Sequence, residues 1–154
     1  MSQRSVEHAS FTIERRYDAP PDRVFAAWGD PGAKSRWFAN AEGWEAETHE
    51  LDFREGGLEV GRSRMPGGPL HTYRAIYWEV VADHRIVYTY EMLIDHARIS
   101  VSLVTVELSP DGGGTRLALT EHGAFFDGAE DPGLRRDGTG SLLDALAREL
   151  SANA

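Results

Sequence analysis

The chain of 154 residues contains no cysteine. Without thiols it cannot form disulfides, iron–sulfur clusters or cysteine-based zinc sites, and it has no thiol nucleophile. Basic residues are also outnumbered, because 16 Lys and Arg stand against 25 Asp and Glu, which gives a formal net charge of −9. Nucleic acid backbones and anionic bilayers are bound by clustered Lys and Arg. We therefore expect neither a nucleic acid nor a membrane partner.

Long apolar runs are missing as well. The most apolar stretch, Ile86–Ile94, is interrupted by Thr89 and Glu91 and is far too short to span a bilayer. The first residues lack the apolar core of a signal peptide. The length and the hydrophobic share of 41% fit one globular domain. We expect a cytoplasmic protein whose residues 1–154 form a single domain, with its core over 10–151.

Recognisable metal and cofactor motifs are absent too. His8, His49, His84 and His96 lie in segments without mutual ligand spacing, and there is no HxH, HExxH or DxD pattern. The glycine clusters are typical of turns and match neither a phosphate-binding loop nor a dinucleotide fingerprint. The sequence thus predicts no metal and no cofactor.

Several segments of the chain have the alternation of apolar and polar residues that is typical of β-strands. Phe11–Tyr17 alternates apolar and polar residues, as a strand with one buried face does. Two short helices are predicted next, over Pro21–Trp28 and 30–38. Further strands are predicted over 46–54, 58–65, 70–81, 85–94, 99–108 and 115–121. In the sixth strand the apolar phase slips between Leu103 and Val104, which predicts a bulge there.

A hairpin and a helix are predicted towards the end of the chain. The run Asp111–Gly114, with three glycines, is a strong hairpin signal. Four leucines then recur at steps of three and four residues, which is the spacing of one buried helix face. They are Leu142, Leu143, Leu146 and Leu150. Strands followed by a long helix indicate an α+β fold, in which the helix covers one face of an antiparallel sheet.

Tyrosines on two neighbouring strands indicate a cavity rather than a dry core. Tyr88 and Tyr90 share a phase with Met92, and Tyr73 and Tyr77 share the buried phase of the preceding strand. A tyrosine combines apolar area with a hydroxyl group that needs a partner. Small-molecule sites are usually apolar pockets with a few such polar groups. We expect this pocket between the sheet and the final helix.

Several short motifs follow one another in the order of a known superfamily. They are AxPxxVFAAW at 19–28, Trp37-Phe38, DFREGG at 52–57, RIVYTY at 85–90, GTRL at 114–117 and GTGSLLDAL at 138–146. With this order and spacing the chain resembles the START-like (SRPBCC) superfamily, in the branch similar to activator of heat-shock protein 90 ATPase homologue 1. TEHGAFFDG at 120–128 is similar to an uncharacterised bacterial subgroup that is often labelled cyclase-like.

The resemblance implies a helix-grip fold. Such a fold has a curved antiparallel sheet of six to seven strands wrapped around a long C-terminal helix, with two short helices after the first strand, and a hydrophobic-ligand cavity between sheet and helix. The branch commonly has Trp after the glycine that opens the final helix, here Gly138, whereas this chain has Thr139. The smaller side chain is expected to enlarge the cavity mouth. The eukaryotic co-chaperone carries a separate client-binding domain for which this chain has no room, so its role does not transfer with the family name.

Glu121 is the first candidate for chemistry. It follows Leu117 and Leu119 in strict alternation, so its side chain is expected to face the cavity. Burial would raise the pKa of such a carboxyl group and suit it to general acid–base catalysis near neutral pH. The alternatives are that Glu121 caps the following loop, pairs with an arginine such as Arg62, or turns outward at the strand end.

Two other side chains are weaker candidates. His71 is either a proton shuttle at the cavity edge or a hairpin-end residue bonded to backbone. Arg62 shares a phase with Leu58 and is either a ligand for a carboxylate or a surface charge. His122 follows Glu121 and should point away from the cavity. The candidate ligand-binding residues are Trp37, Tyr73, Tyr77, Tyr88, Tyr90, Met92, Thr139 and Leu143.

Three functions remain open at this point. The first is binding of a hydrophobic or aromatic small molecule that carries at least one polar group. The second is an enzyme of the same fold, a cyclase, dehydratase or hydrolase that uses Glu121 as acid or base. The third is a protein-interaction module that acts on a chaperone or another protein partner. A monomer and a homodimer are both compatible with the sequence.

Overall fold

The computed structural model describes residues 4–152. In this part of the chain the helices are α1 (Pro21–Gly29), α2 (Pro31–Lys34) and α3 (Pro132–Ala152), and a π-helical turn, Ser35–Ala39, follows α2. The strands are β1 (Val6–Tyr17), β2 (Glu45–Leu51), β3 (Leu58–Arg64), β4 (His71–Val81), β5 (Arg85–Ile94), β6 (Ala97–Asp111) and β7 (Gly114–Phe126).

The strands form one antiparallel sheet in the order β1-β7-β6-β5-β4-β3-β2. Consecutive strands from β2 to β7 are neighbours, and β1 adds to the far side of β7. The β6–β7 connection is the hairpin that the glycines predicted. Gly112 and Gly113 both have positive φ, at 56° and 86°, which is the backbone that a tight two-residue hairpin turn requires. The α+β helix-grip fold predicted from the sequence is confirmed.

Helix α3 packs its leucines into the core. Leu143, Leu146 and Leu150 are buried, as the spacing predicts, and Leu142 is half-buried. The helix begins at Pro132, well before Gly138, where the motif placed its start. Asp131 accepts a hydrogen bond from the backbone N–H of Gly133 at the helix start. The leucine spacing did not reveal the first turns of α3, because those turns are mostly polar.

Strand β6 corrects one prediction from the sequence. The register shift lies at the start of the strand, where Met92 pairs with Ser100 and Leu93 with Arg98, so Ile99 is the extra residue. The predicted bulge between Leu103 and Val104 is wrong. Alternation there is regular, with Val104 buried and Leu103 43% exposed on the outer face. The apparent slip arose because apolar residues occupy both faces of the strand.

Within residues 4–152, no helix combines the length and the apolar character that crossing a membrane requires.

Candidate functional site

A cavity of about 630 Å³ lies between the inner face of the sheet and α3. This volume falls in the range of small-molecule pockets, about 300–1,000 Å³. Strand residues supply most of one wall, and the middle of α3, including Leu142 and Leu143, supplies the other. Seven aromatic side chains are among those that line it: Trp28, Trp37, Phe38, Trp44, Tyr73, Tyr88 and Tyr90.

The aromatic rings support one another by edge and tilted contacts. Phe38 meets Trp37 at 5.6 Å and Tyr73 at 5.0 Å between ring centroids, both edge-on. Tyr73 lies 4.9 Å from Tyr90, and Tyr90 lies 6.3 Å from Tyr88. Such contacts add to the stabilisation that burial gives and restrict the rings to defined positions. The cavity therefore has an aromatic wall whose rings pack against one another.

Glu121 faces the cavity, as its alternation predicts. Its side chain is only 3% exposed, and its Oε2 accepts a hydrogen bond of 2.7 Å from the hydroxyl of Tyr90. Burial raises the pKa of Glu121, while the Tyr90 hydrogen bond and the charge of Arg135 oppose that rise in part. A carboxyl group held this way is able to take up or release a proton nearer to neutral pH than an exposed one.

Glu121 does lie beside an arginine, which was one of the alternatives considered from the sequence, but the arginine is Arg135 of α3 and not Arg62. One terminal nitrogen of Arg135 lies 3.6 Å from Oε2 of Glu121 and donates to the Tyr90 hydroxyl at 2.8 Å. The other donates to Ser100 Oγ at 2.9 Å and to Glu130 at 2.8 Å, and Nε donates to Glu130 at 2.7 Å. The guanidinium group is thus fixed at the cavity wall by four side chains.

His71 also lines the cavity, with its ring edge-on to Trp44 at 4.8 Å. Burial lowers the pKa of His71; the charge of Glu130 opposes this and the charge of Arg135 adds to it. The lowered pKa favours the neutral imidazole, in which one ring nitrogen can accept a proton and the other can donate a hydrogen bond. The role of proton shuttle stays a prediction.

Most of the predicted ligand-binding residues lie at the cavity, but several of their polar atoms are already engaged. The indole N–H of Trp37 donates to the carbonyl of Ala27 at 2.8 Å, so this residue presents only its ring. Thr139 Oγ1 donates to the carbonyl of Arg135 at 2.9 Å. Met92 and Leu143 contribute apolar surface to the lining.

Tyr77 is placed elsewhere. It is fully buried behind the aromatic wall, and its hydroxyl donates to Oε1 of Glu59 at 2.6 Å instead of reaching the cavity lining. Its strand phase is that of Tyr73, as predicted. It lies four residues further along β4 than Tyr73, beyond the part of the strand that lines the cavity. A strand phase fixes the face on which a side chain lies but not its position along the cavity.

The partner of Tyr77 belongs to a buried ion pair that sequence reasoning missed. Lys34 and Glu59 both have fully buried side chains, and Nζ of Lys34 lies 3.0 Å from Oε1 of Glu59. Although burial alone would raise the pKa of Glu59, the charge of Lys34 and the hydrogen bonds from His49, Tyr77 and Lys34 lower it to about 2. Burial lowers the pKa of Lys34, and the charge of Glu59 opposes that change.

The architecture and the cavity define a helix-grip protein. The family model described as Activator of Hsp90 ATPase homolog 1-like protein matches residues 18–151, and the chain belongs to that family. The resemblance stated from the sequence motifs is confirmed. No curated protein matches this chain.

Solved structures of bacterial proteins are similar along nearly the whole chain. An uncharacterised protein from Rhizobium leguminosarum is 44% identical with a TM-score of 0.94, and the match covers 98% of this chain and 99% of the other. A protein from Rhizobium loti is 48% identical with a TM-score of 0.87, covering 94% and 99%. An AHSA1-like protein from Aeromonas hydrophila, 22% identical over 94% of both chains with a TM-score of 0.70, shares the fold.

Proposed function

We propose that this protein binds a small molecule with a hydrophobic or aromatic body in the cavity between the sheet and α3. The observation that carries the proposal is the set Tyr90, Glu121 and Arg135, which is buried, mutually hydrogen-bonded and placed at the wall of an aromatic cavity. Apolar walls supply affinity through the area that they remove from water. The polar set would orient a ligand through one polar group of its own.

The size of the cavity supports binding over a purely structural role. Protein interiors are close-packed, and voids much larger than a water molecule are few. This space of about 630 Å³ is instead a cleft partly open to solvent, and its volume is that of small-molecule pockets. A bound ligand would replace water in this cleft and gain van der Waals contacts with its walls.

Filling the cavity mouth tests the proposal. Thr139→Trp introduces a large ring at a lining position, and we expect it to weaken binding of 8-anilinonaphthalene-1-sulfonate at least tenfold, because the ring takes up space that the probe needs. The matched control is Arg136→Trp, at an exposed position of the same helix. The measurement is fluorescence titration of the three proteins. Equal affinities of wild type and Thr139→Trp would place the probe outside the cavity and count against the proposal.

A second candidate is an enzyme of the cyclase, dehydratase or hydrolase type that uses Glu121 as general acid or base. Its support is the buried carboxyl group with a raised pKa, hydrogen-bonded to Tyr90 in a cavity that His71 also lines. Glu121 and His71 would both lie within reach of a ligand. Proton transfer by a positioned side chain increases reaction rates by about 10²–10⁴-fold.

Glu121→Gln separates this candidate from binding alone. The substitution keeps the size of the side chain, and Arg135 keeps its contacts with Glu130, so we expect urea unfolding to change little. If Glu121 transfers a proton, turnover of a ligand identified by native mass spectrometry falls about a hundredfold while its affinity stays within about twofold. Unchanged turnover together with unchanged affinity would leave a binding protein and reject the enzyme.

A further inference from the structure

His49 marks a second polar end of the cavity. It lies on β2, the strand at one edge of the sheet, whereas Glu121 lies on β7 near the other edge. The side chain of His49 is 5% exposed and lines the cavity. Its strand partner is Gly61, whose lack of a side chain leaves space beside the imidazole ring. The two polar ends are therefore separated by the aromatic wall.

Glu59 determines which nitrogen of His49 carries the proton. Its Oε1 accepts hydrogen bonds from Lys34 at 3.0 Å and from Tyr77 at 2.6 Å, and its Oε2 lies 2.8 Å from Nε2 of His49. An ionised carboxylate only accepts hydrogen bonds, so Nε2 must be the donor. When the imidazole carries its single proton on Nε2, the other nitrogen, Nδ1, has a lone pair that can accept a hydrogen bond.

The groups behind His49 hold this arrangement in place. Nζ of Lys34 lies 5.1 Å from the centre of the Trp28 ring and 4.5 Å from that of Phe38, and both of these residues also line the cavity. Among Lys34, Glu59, Tyr77 and His49, only His49 lines the cavity. A carboxylate that orients an imidazole and fixes its tautomer is the arrangement by which proteins present a histidine as a defined acceptor.

We infer that His49, positioned by Glu59, accepts a hydrogen bond through Nδ1 from a hydroxyl group of the ligand, and that the ligand is an aromatic compound with a phenolic hydroxyl. The inference rests on the proposed small-molecule binding and adds the chemistry of one end of the ligand. An aromatic body fits the ring-lined wall. A phenolic O–H is a good donor, whereas the corresponding methyl ether has no proton to donate.

A matched pair of probes tests the inference. We expect wild-type protein to bind 2-naphthol at least fivefold more tightly than 2-methoxynaphthalene, which is the fold-change of about one net hydrogen bond. His49→Phe keeps a ring of similar shape but no acceptor, so the ratio of the two affinities should fall to about one while affinity for 2-methoxynaphthalene stays within about twofold. His96→Phe, at an exposed loop position, is the control and should keep the wild-type ratio.

The outcomes separate the inference from the proposal on which it rests. A preference for 2-naphthol that survives His49→Phe overturns the role of His49 and leaves the cavity proposal standing. Binding of both probes that Thr139→Trp does not weaken overturns the cavity proposal itself. Failure of wild type to bind 2-naphthol, while Thr139→Trp weakens its binding of 8-anilinonaphthalene-1-sulfonate, overturns the phenolic ligand and leaves the cavity proposal standing.

A spectroscopic measurement on the wild-type protein keeps the test independent of how His49→Phe folds. Two-bond proton–nitrogen correlation spectra at pH 8 identify the tautomer of each histidine. We expect His49 to carry its proton on Nε2, and its Nδ1 resonance to shift on addition of 2-naphthol but not of 2-methoxynaphthalene. A proton on Nδ1 in the free protein would overturn the inference, as would equal shifts with both probes.

Discussion

Lys34→Met is expected to lower the free energy of unfolding by about 3–5 kcal/mol, the usual effect of removing one partner from a buried ion pair. Both side chains of the Lys34–Glu59 pair are fully buried, so the carboxylate that remains cannot be stabilised by water. Tyr77 and His49 would still donate hydrogen bonds to it, but they do not neutralise its charge. Urea unfolding at pH 7 measures the loss.

A second substitution identifies the cause of that loss. Adding Glu59→Gln to Lys34→Met removes the unpaired charge but keeps an oxygen that accepts from Tyr77, so at least half of the lost stability should return. The surface pair Arg64–Glu47 is the matched control, since both of its side chains are 40% or more exposed. Arg64→Met should change stability by less than about 1 kcal/mol. No recovery in the double variant would show that packing, and not charge, was lost.

The pH dependence gives an independent check with a defined sign. In the wild type the pKa of Glu59 is lowered to about 2, below its unfolded value. The pair therefore contributes stability that is complete above roughly pH 4.3, the ordinary carboxyl value, and is lost as pH falls towards 2. Without Lys34, burial raises the pKa of Glu59, and protonation then stabilises the folded state. The deficit of Lys34→Met should shrink between pH 7 and pH 4.

Leu146→Ala is expected to lower the free energy of unfolding by about 2–5 kcal/mol. Leu146 is fully buried on the face of α3 that packs into the core, so truncation removes apolar contacts and leaves a void. Leu134→Ala is the matched control, because Leu134 lies on the same helix and is 64% exposed. Its effect should stay within about 0.5 kcal/mol. A loss for Leu146→Ala as small as that of the control would mean that α3 does not hold the sheet together.

Local patterns in the sequence determined the elements of this fold and the direction of several side chains. Alternation along β7 placed Glu121 on the inner face, and leucine spacing identified the buried face of α3. Both predictions depend on neighbours within a few residues, because the periods of strand and helix set which face a side chain occupies. The start of α3 could not be found in this way, since its first turns are mostly polar and carry no apolar period.

The electrostatic partners were decided only by the tertiary structure. Lys34 and Glu59 are 25 positions apart in the chain, and Tyr90 and Arg135 are 45 apart. The sequence suggested Arg62 as a partner for Glu121, whereas the structure has Arg135 there. No local pattern shows which arginine the folded chain brings close to a given carboxylate. Which charged side chains are buried together depends on how α2 packs against β3 and on how the start of α3 packs against β5 and β7. The energy of a buried charge is set by those contacts and not by its place in a repeating pattern.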